Sequence, residues 1–452
     1  MSAANTLEKL RPVGLLERWS THRYEIGFYT NVAVSAEYTV PACTLSDVKA
    51  LLYSALGIVV GRHPMLSAVP IDGAEDTAYW ARLPVVDLAA ALDVRAGIDS
   101  IKDMERLLED EHNKRFVSPD GISGIPYWRV VLILGHEEEA EITTFSLVFV
   151  YHHAVGDGLS GLVFHRALQA AISELPSPVP EPVATTVIAP SSPPPPALED
   201  LHKFAVSNWH LLRALYHDWF PPSVPPGLWT GAVITTPLRT RIRILHVPAS
   251  TVTALGARCR AGKTSVTALM ISLAAAAFFD ALPDSATEII SSAPVSARRW
   301  TPPSLDLENA IGVWVTETPA QHHYRGEDVW STADRVFTAI QNTVSSRGTD
   351  TSVALLPWVS SYKKFFDSKP GLNRAATLEI SNLGRAPDQK GLMFSQSASV
   401  TGHAVEVSVA TAGDGMRVTW CWQEGVVEES IVDGMLRRVD ERIAAEAQMA
   451  DK

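Results

Sequence analysis

Cysteine is scarce: Cys43, Cys259 and Cys421 are spread over 452 positions. Without paired spacing they make neither a disulfide framework nor a thiolate zinc site, and no bound metal is expected. A reducing, intracellular setting follows as the expectation. The opening segment "MSAANTLEKLRPVG" lacks the apolar centre of a secretory signal, so a cytoplasmic location is expected. Long apolar runs are missing too. The greasiest stretch, Val266 to Phe279, covers 14 residues and is interrupted by Thr267 and Ser272, too short for a membrane span and suited to a buried helix. Positive charge is in deficit, with 38 Lys and Arg against 50 Asp and Glu and a formal net charge of -12. Phosphate backbones are held mainly by Lys and Arg, so no nucleic-acid partner is expected, while a local basic pocket for a small anion stays compatible.

What is present is apolar residue in quantity, 46% against 19% charged, enough for a large core. Proline is concentrated in one place. Nine of the 21 residues from Pro176 to Pro196 are proline, which neither continues a helix nor sits inside a sheet. The expected organisation is an N-terminal lobe, 1–175, a proline-rich linker, 176–198, and a C-terminal lobe, 199–452. Strand-like runs alternate with helix-like runs in both, so an α/β class is expected. Directly after the linker, "EDLHKFAVSNWHLLRALYHDWF" has apolar residues at helical spacing. Because it is not rich in Lys or Arg, a helix packed on its own lobe is expected in preference to one lying on a membrane.

The stretch with chemistry is "YHHAVGDGLSG", Tyr151 to Gly161, between the apolar run "SLVFV" and the helix-like "LVFHRALQAAISEL". The run before it is apolar on both faces, as in a central buried strand, so His152 and His153 emerge at its end. Gly156 and Gly158 are expected to permit the backbone angles of a tight turn. A histidine at a strand end is well placed as a general base, since its unperturbed pKa lies near working pH. Spacing leaves two roles open for Asp157: orienting the histidine, or pairing with an arginine to stiffen the turn.

The set H-H-x-x-x-D-G resembles the signature of the acyltransferase superfamily that shares the chloramphenicol acetyltransferase fold, which includes peptide-synthetase condensation domains and plant BAHD-type acyltransferases. More narrowly, "GRHPML", "TSVTALM", "APVSARRW", "ENAIGVWV", "EISNLG" and "FSQSASVTGHAVEVSVATAGDGMRVTWCWQEG" recur in this order in the fungal alcohol O-acetyltransferase family. That resemblance implies two similar α/β lobes with a central channel at their interface. It implies His153 as the general base and Asp157 as a structural residue paired with Arg298, with Arg299 the second choice. His152 and Gly158 would shape the turn. Ser381 and Asn382 are implied candidates for oxyanion or substrate contacts, and Tyr29 is a candidate liner of the acceptor pocket. No cofactor would be permanently bound: acetyl-CoA or another acyl-CoA is a co-substrate, the acceptor a small apolar alcohol or secondary metabolite, and the protein a monomer. The same fold also admits transfer from a carrier-protein thioester, cyclisation, isomerisation, or a non-catalytic binding role. The plant-type "DFGWG" motif is absent, so nothing marks the coenzyme tunnel, and Lys263 or Arg241 would be chosen on charge alone.

Other signals are weaker. "GARCRAGKT" puts five residues between Gly256 and Gly262 where a phosphate loop has four, and it follows a helical segment. Cys259, between two arginines, reads as a structural thiol, and His63 and His403 as packing or turn residues.

Overall fold

The computed structural model describes residues 7–116, 124–135, 141–220 and 224–449. Two compact units are present, Met1–Leu201 with Thr301–Trp314 and Pro387–Phe394, and His202–Trp300 with Val315–Ala386 and Ser395–Lys452. Two segments of the second half thus belong to the first unit, where composition suggested one boundary at the prolines.

In the first unit a five-stranded sheet runs in the order Lys390–Gln396, Val32–Cys43, Ile142–Tyr151, Trp128–Leu134, Leu92–Ala96. Ile142–Tyr151 is central and antiparallel to both neighbours, with Tyr151 opposite Val32 on one side and Trp128 on the other. Its apolar character on both faces has this cause: Leu147, Val148, Phe149 and Val150 are all fully buried. Glycine makes the late edge strand possible, because a Cβ on Gly391, whose φ is +58°, would stand 2.9 Å from Glu37 Cβ.

The proline-rich stretch is strapped to this unit and is no free linker. Thr186–Ile188 pairs antiparallel with Val85–Asp87. Proline offers carbonyls but no N–H, and arginines answer the carbonyls. Arg82 donates to Pro190, Ser191 and Ser192, and Arg11 Nε donates to Pro195 O at 3.0 Å. Ala197 and Leu198 close the strap as buried residues.

The second unit is built on a six-stranded mixed sheet, ordered Thr240–Pro248, Gly415–Gln423, Val405–Ala412, Leu378–Ala386, Glu288–Ser292, Gln321–Tyr324. One face is apolar: Ile380, Val405, Val407, Val409, Trp420 and Trp422 share a buried cluster with helices Val266–Ala281 and Glu429–Gln448. Val266–Ala281 is thus a core helix, as its length suggested, and among the described residues no single helix is long and apolar enough to cross a membrane. The helix Asn208–Trp219 departs from expectation. It does not bury its apolar stripe; Trp209 and Trp219 are each 77% exposed.

Candidate active site

The central strand of the first unit ends at Tyr151, and the chain turns at once. His152 N donates to Tyr127 O at 3.0 Å, and Val155 N closes back on His152 O at 2.8 Å. The helix Gly158–Glu174 begins directly after the turn. Neither Gly156 nor Gly158 has a positive φ among the described glycines, so the angle argument does not hold here. Room is the cause instead. A Cβ on Gly156 would stand 2.6 Å from Ser160 Cβ, and one on Gly161 would stand 2.2 Å from Val34 Cγ2. Gly161 therefore sets how closely the helix approaches the sheet, a role its place in the motif did not suggest. Gly158 is the first residue of the helix.

Asp157 caps that helix. Its Oδ1 accepts from Ser160 N at 3.1 Å and from Ser160 Oγ at 3.0 Å, and its Oδ2 accepts from Trp314 N at 3.1 Å. Its own N–H donates to Gly312 O at 3.0 Å, and its carbonyl accepts from the Tyr151 hydroxyl at 2.8 Å. The residue is 4% exposed. These bonds tie three pieces of chain together: strand end, helix start and the Thr301–Trp314 segment. The described bonds are those of a helix cap, a role that spacing did not suggest beside the two it left open. Replacing Asp157 by Ala removes a buried cap and strands the Trp314 N–H. A loss of about 2–4 kcal/mol in urea unfolding is expected, whereas a change under about 0.5 kcal/mol would mean the cap carries no load.

His152 is enclosed by aromatic rings. Tyr24 meets it edge-on at 4.5 Å between centroids, and Tyr127 stacks on it at 5.4 Å. Its Nδ1 accepts from Ala154 N at 2.9 Å, so the ring holds its proton on Nε2 when neutral. Burial, with the neighbouring His153 and two arginines, lowers its pKa to about 3. It shapes the turn.

His153 is half-buried, facing a different neighbour. The Tyr29 ring lies 5.5 Å from it between centroids, and the Arg23 guanidinium lies over the Tyr29 ring, 4.7 Å from its centroid. Among the described residues, His153 Nδ1 has no hydrogen bond to another residue. Burial and the Arg23 charge lower its pKa to about 4, against a smaller pull upward from its own carbonyl and Asp157. The imidazole is therefore unprotonated at neutral pH, the form a base requires. Tyr29, named from the sequence as a candidate pocket liner, is 3% exposed and packed beside His153. Arg23, on the helix Leu15–Glu25, is a neighbour the sequence did not single out.

The remaining candidates sit in the second unit. Arg298 is 4% exposed in a short 3-10 turn while Arg299 is exposed. Ser381 and Asn382 are consecutive on Leu378–Ala386 and so project to opposite faces. Asn382 is committed elsewhere: its amide donates to Thr267 Oγ1 at 3.1 Å and accepts from Gly384 N at 2.8 Å, holding a strand irregularity. Ser381 lies opposite Ser408, whose buried Oγ has no hydrogen-bond partner among the described residues. Ser408 escaped notice because only strand register brings it beside Ser381.

Ser292 Oγ is 2.8 Å from His403 Nε2, but His403 Nδ1 is 3.8 Å from Glu379, beyond hydrogen-bond reach, so triad residue types lack triad geometry. Burial raises the Cys259 thiol to about 11, which suits an inert thiol. Arg241 stands 3.9 Å from both Glu424 and Glu429, so its charge is met by acids. Among the described residues no cluster of His, Cys, Asp and Glu is placed to hold a metal ion.

Comparison with known proteins adds to this geometry. A family model described as alcohol acetyltransferase matches residues 113–433. The chain is 32% identical over 473 aligned positions to the probable alcohol acetyltransferase crmB of Aspergillus fumigatus, covering 94% of this chain and 96% of that one. Among solved structures it is similar to the TRI3 trichothecene 15-O-acetyltransferase of Fusarium sporotrichioides, with a TM-score of 0.69 at 13% identity over 96% and 94% of the two chains. It is also similar to the first condensation domain of the CDA synthetase, with a TM-score of 0.62 at 14% identity over 98% and 96%. Both likenesses are of fold, the two-lobed chloramphenicol acetyltransferase-like architecture.

Proposed function

Since the chain belongs to the alcohol acetyltransferase family and is an acyltransferase, we propose that it moves an acetyl group from acetyl-CoA directly to the hydroxyl of a small, apolar alcohol, with His153 as general base. In this reading His153 takes the proton of the acceptor hydroxyl as its oxygen attacks the thioester carbonyl. The tetrahedral intermediate then collapses, breaking the C–S bond, and the proton passes to the departing thiolate to leave ester and free CoA. The observation that carries the proposal is the state of His153: half-buried, unprotonated and packed on Tyr29, at the head of a helix that Asp157 holds in place.

Burial has a second consequence. A base whose conjugate acid has a pKa of about 4 is always available at neutral pH but is weak in the resting enzyme. Proton transfer and carbon–oxygen bond formation are therefore expected to be concerted, because no free alkoxide forms against so large a pKa gap. kcat/KM for the alcohol should stay flat from pH 8 down to about 5.5, where an ordinary histidine near 6.5 would already have cost about tenfold. The test is release of free thiol from acetyl-CoA in the presence of a panel of small alcohols, with the ester identified by mass. Thiol and ester in equal amounts, at a pH-independent rate above pH 5.5, support the reading. Ester formed only from a carrier-bound thioester, or a rate that halves near pH 6.5, would contradict the donor or the state of the base respectively.

A further inference from the structure

The helix Asn208–Trp219 buries none of its described side chains. Its exposed residues are Trp209 and Trp219 at 77%, Leu212 at 61%, Tyr216 at 60% and, just past its end, Phe220 at 59%. With Leu215 at 46% exposed, they fall within an arc of about 140° around the helix axis. A continuous apolar face of this kind in water calls for an occupant.

Two features select it. The first is residue type. The face is led by Trp and Tyr, whose rings have an apolar body and a polar edge and favour the headgroup level of a bilayer. The second is charge. Arg213 stands on one flank of the arc, and Lys203 precedes the helix. Residues 203–238 contain one acidic residue, Asp218, in a chain with 50 Asp and Glu and a net charge of -12. An otherwise acidic protein thus presents its exposed aromatic helix on a segment cleared of negative charge, which complements anionic headgroups. Twelve residues are too short to span a bilayer but long enough to lie in its surface.

We propose that Asn208–Trp219 docks the protein on an anionic phospholipid surface, with Trp209, Leu212, Tyr216 and Trp219 inserted at headgroup depth and Arg213 among the phosphates. The docking is independent of the transfer chemistry. The helix is anchored at its start, where Ser207 Oγ caps His210 N at 3.2 Å and Ser207 in turn bonds Asp350, so it is preformed and loses little conformational freedom on binding.

Flotation of the full chain with phosphatidylcholine vesicles, with and without about one-third phosphatidylserine, tests this directly. The protein is expected to float with the mixed vesicles and about tenfold less with phosphatidylcholine alone. A Trp209→Ala/Trp219→Ala variant should lose at least about tenfold in partitioning, with circular dichroism unchanged; Leu212→Glu serves as a second variant. A wild-type protein that stays unbound, or a double variant that floats as well as wild type, overturns the proposal. So does a wild-type dimer that the double variant turns into a non-floating monomer, which would make the face a protein interface.

Discussion

Between pH 7 and pH 5 the folded chain is expected to lose at least on the order of 5 kcal/mol of stability, the share of three buried histidines it cannot protonate without breaking structure. His112, His152 and His165 are each at most 1% exposed, and burial lowers their pKa values to about 3, about 3 and about 4. The hydrogen bonds explain why. His165 Nδ1 meets the Tyr38 hydroxyl at 2.7 Å while Nε2 reaches the Val34 carbonyl at 2.8 Å, so the neutral ring satisfies both partners. Protonating His152 would set an N–H against the Ala154 N–H. A group whose folded pKa is depressed keeps the folded state neutral while the unfolded chain takes up protons below about 6.5. Stability is therefore full above that value and falls as pH drops toward the folded pKa values, at about 1.4 kcal/mol per pH unit for each histidine. Urea midpoints measured from pH 8 to pH 5 should give a slope of at least about three protons below pH 6, to which His153, His63 and His323 add, since burial lowers their pKa values to about 4, about 4 and about 3. A flat profile over that range would mean these rings are charged in the folded protein.

How much of this was readable before folding depends on whether a signal is local. The central strand and the motif helix are legible because both are local patterns: an apolar run on two faces, a turn, then an amphipathic stripe that buries Val163, Leu168 and Ala171. Helix Leu15–Glu25 is not legible as a buried helix, since its inward positions include Glu17, Ser20, Thr21 and His22, and periodicity arguments look for apolar ones. Glu17 is tolerated inside because Arg11, the Gly14 N–H and Trp80 Nε1 all donate to it. The partners of Asp157 are likewise hidden, lying at Gly312 and Trp314 on a distant segment. The proline stretch misleads for a related reason: composition says it has no regular structure, but not that arginines from Arg11 and Arg82 will bind its carbonyls. The aromatic helix fails expectation in the other direction. Helical spacing of apolar residues was present, and the core to receive them was not.

His153→Ala should reduce alcohol-dependent ester formation by about a hundred- to ten-thousand-fold, the range a positioned base contributes. It should not abolish it, because holding two substrates in attack geometry accelerates transfer without a base. Folding is expected to survive: His153 is half-buried and makes no hydrogen bond through Nδ1 to another residue among those described, unlike Asp157. The loss should fall on kcat, with the affinity for CoA unchanged, since a proton acceptor acts in the transition state and not in coenzyme binding. The decisive measurement is the rate of thiol release from saturating acetyl-CoA, with and without the alcohol, for wild type and His153→Ala side by side. Release by wild type only when alcohol is present, slowed at least about a hundredfold in a variant that still binds CoA, is the predicted result. Equal rates in the two proteins would contradict a base at His153.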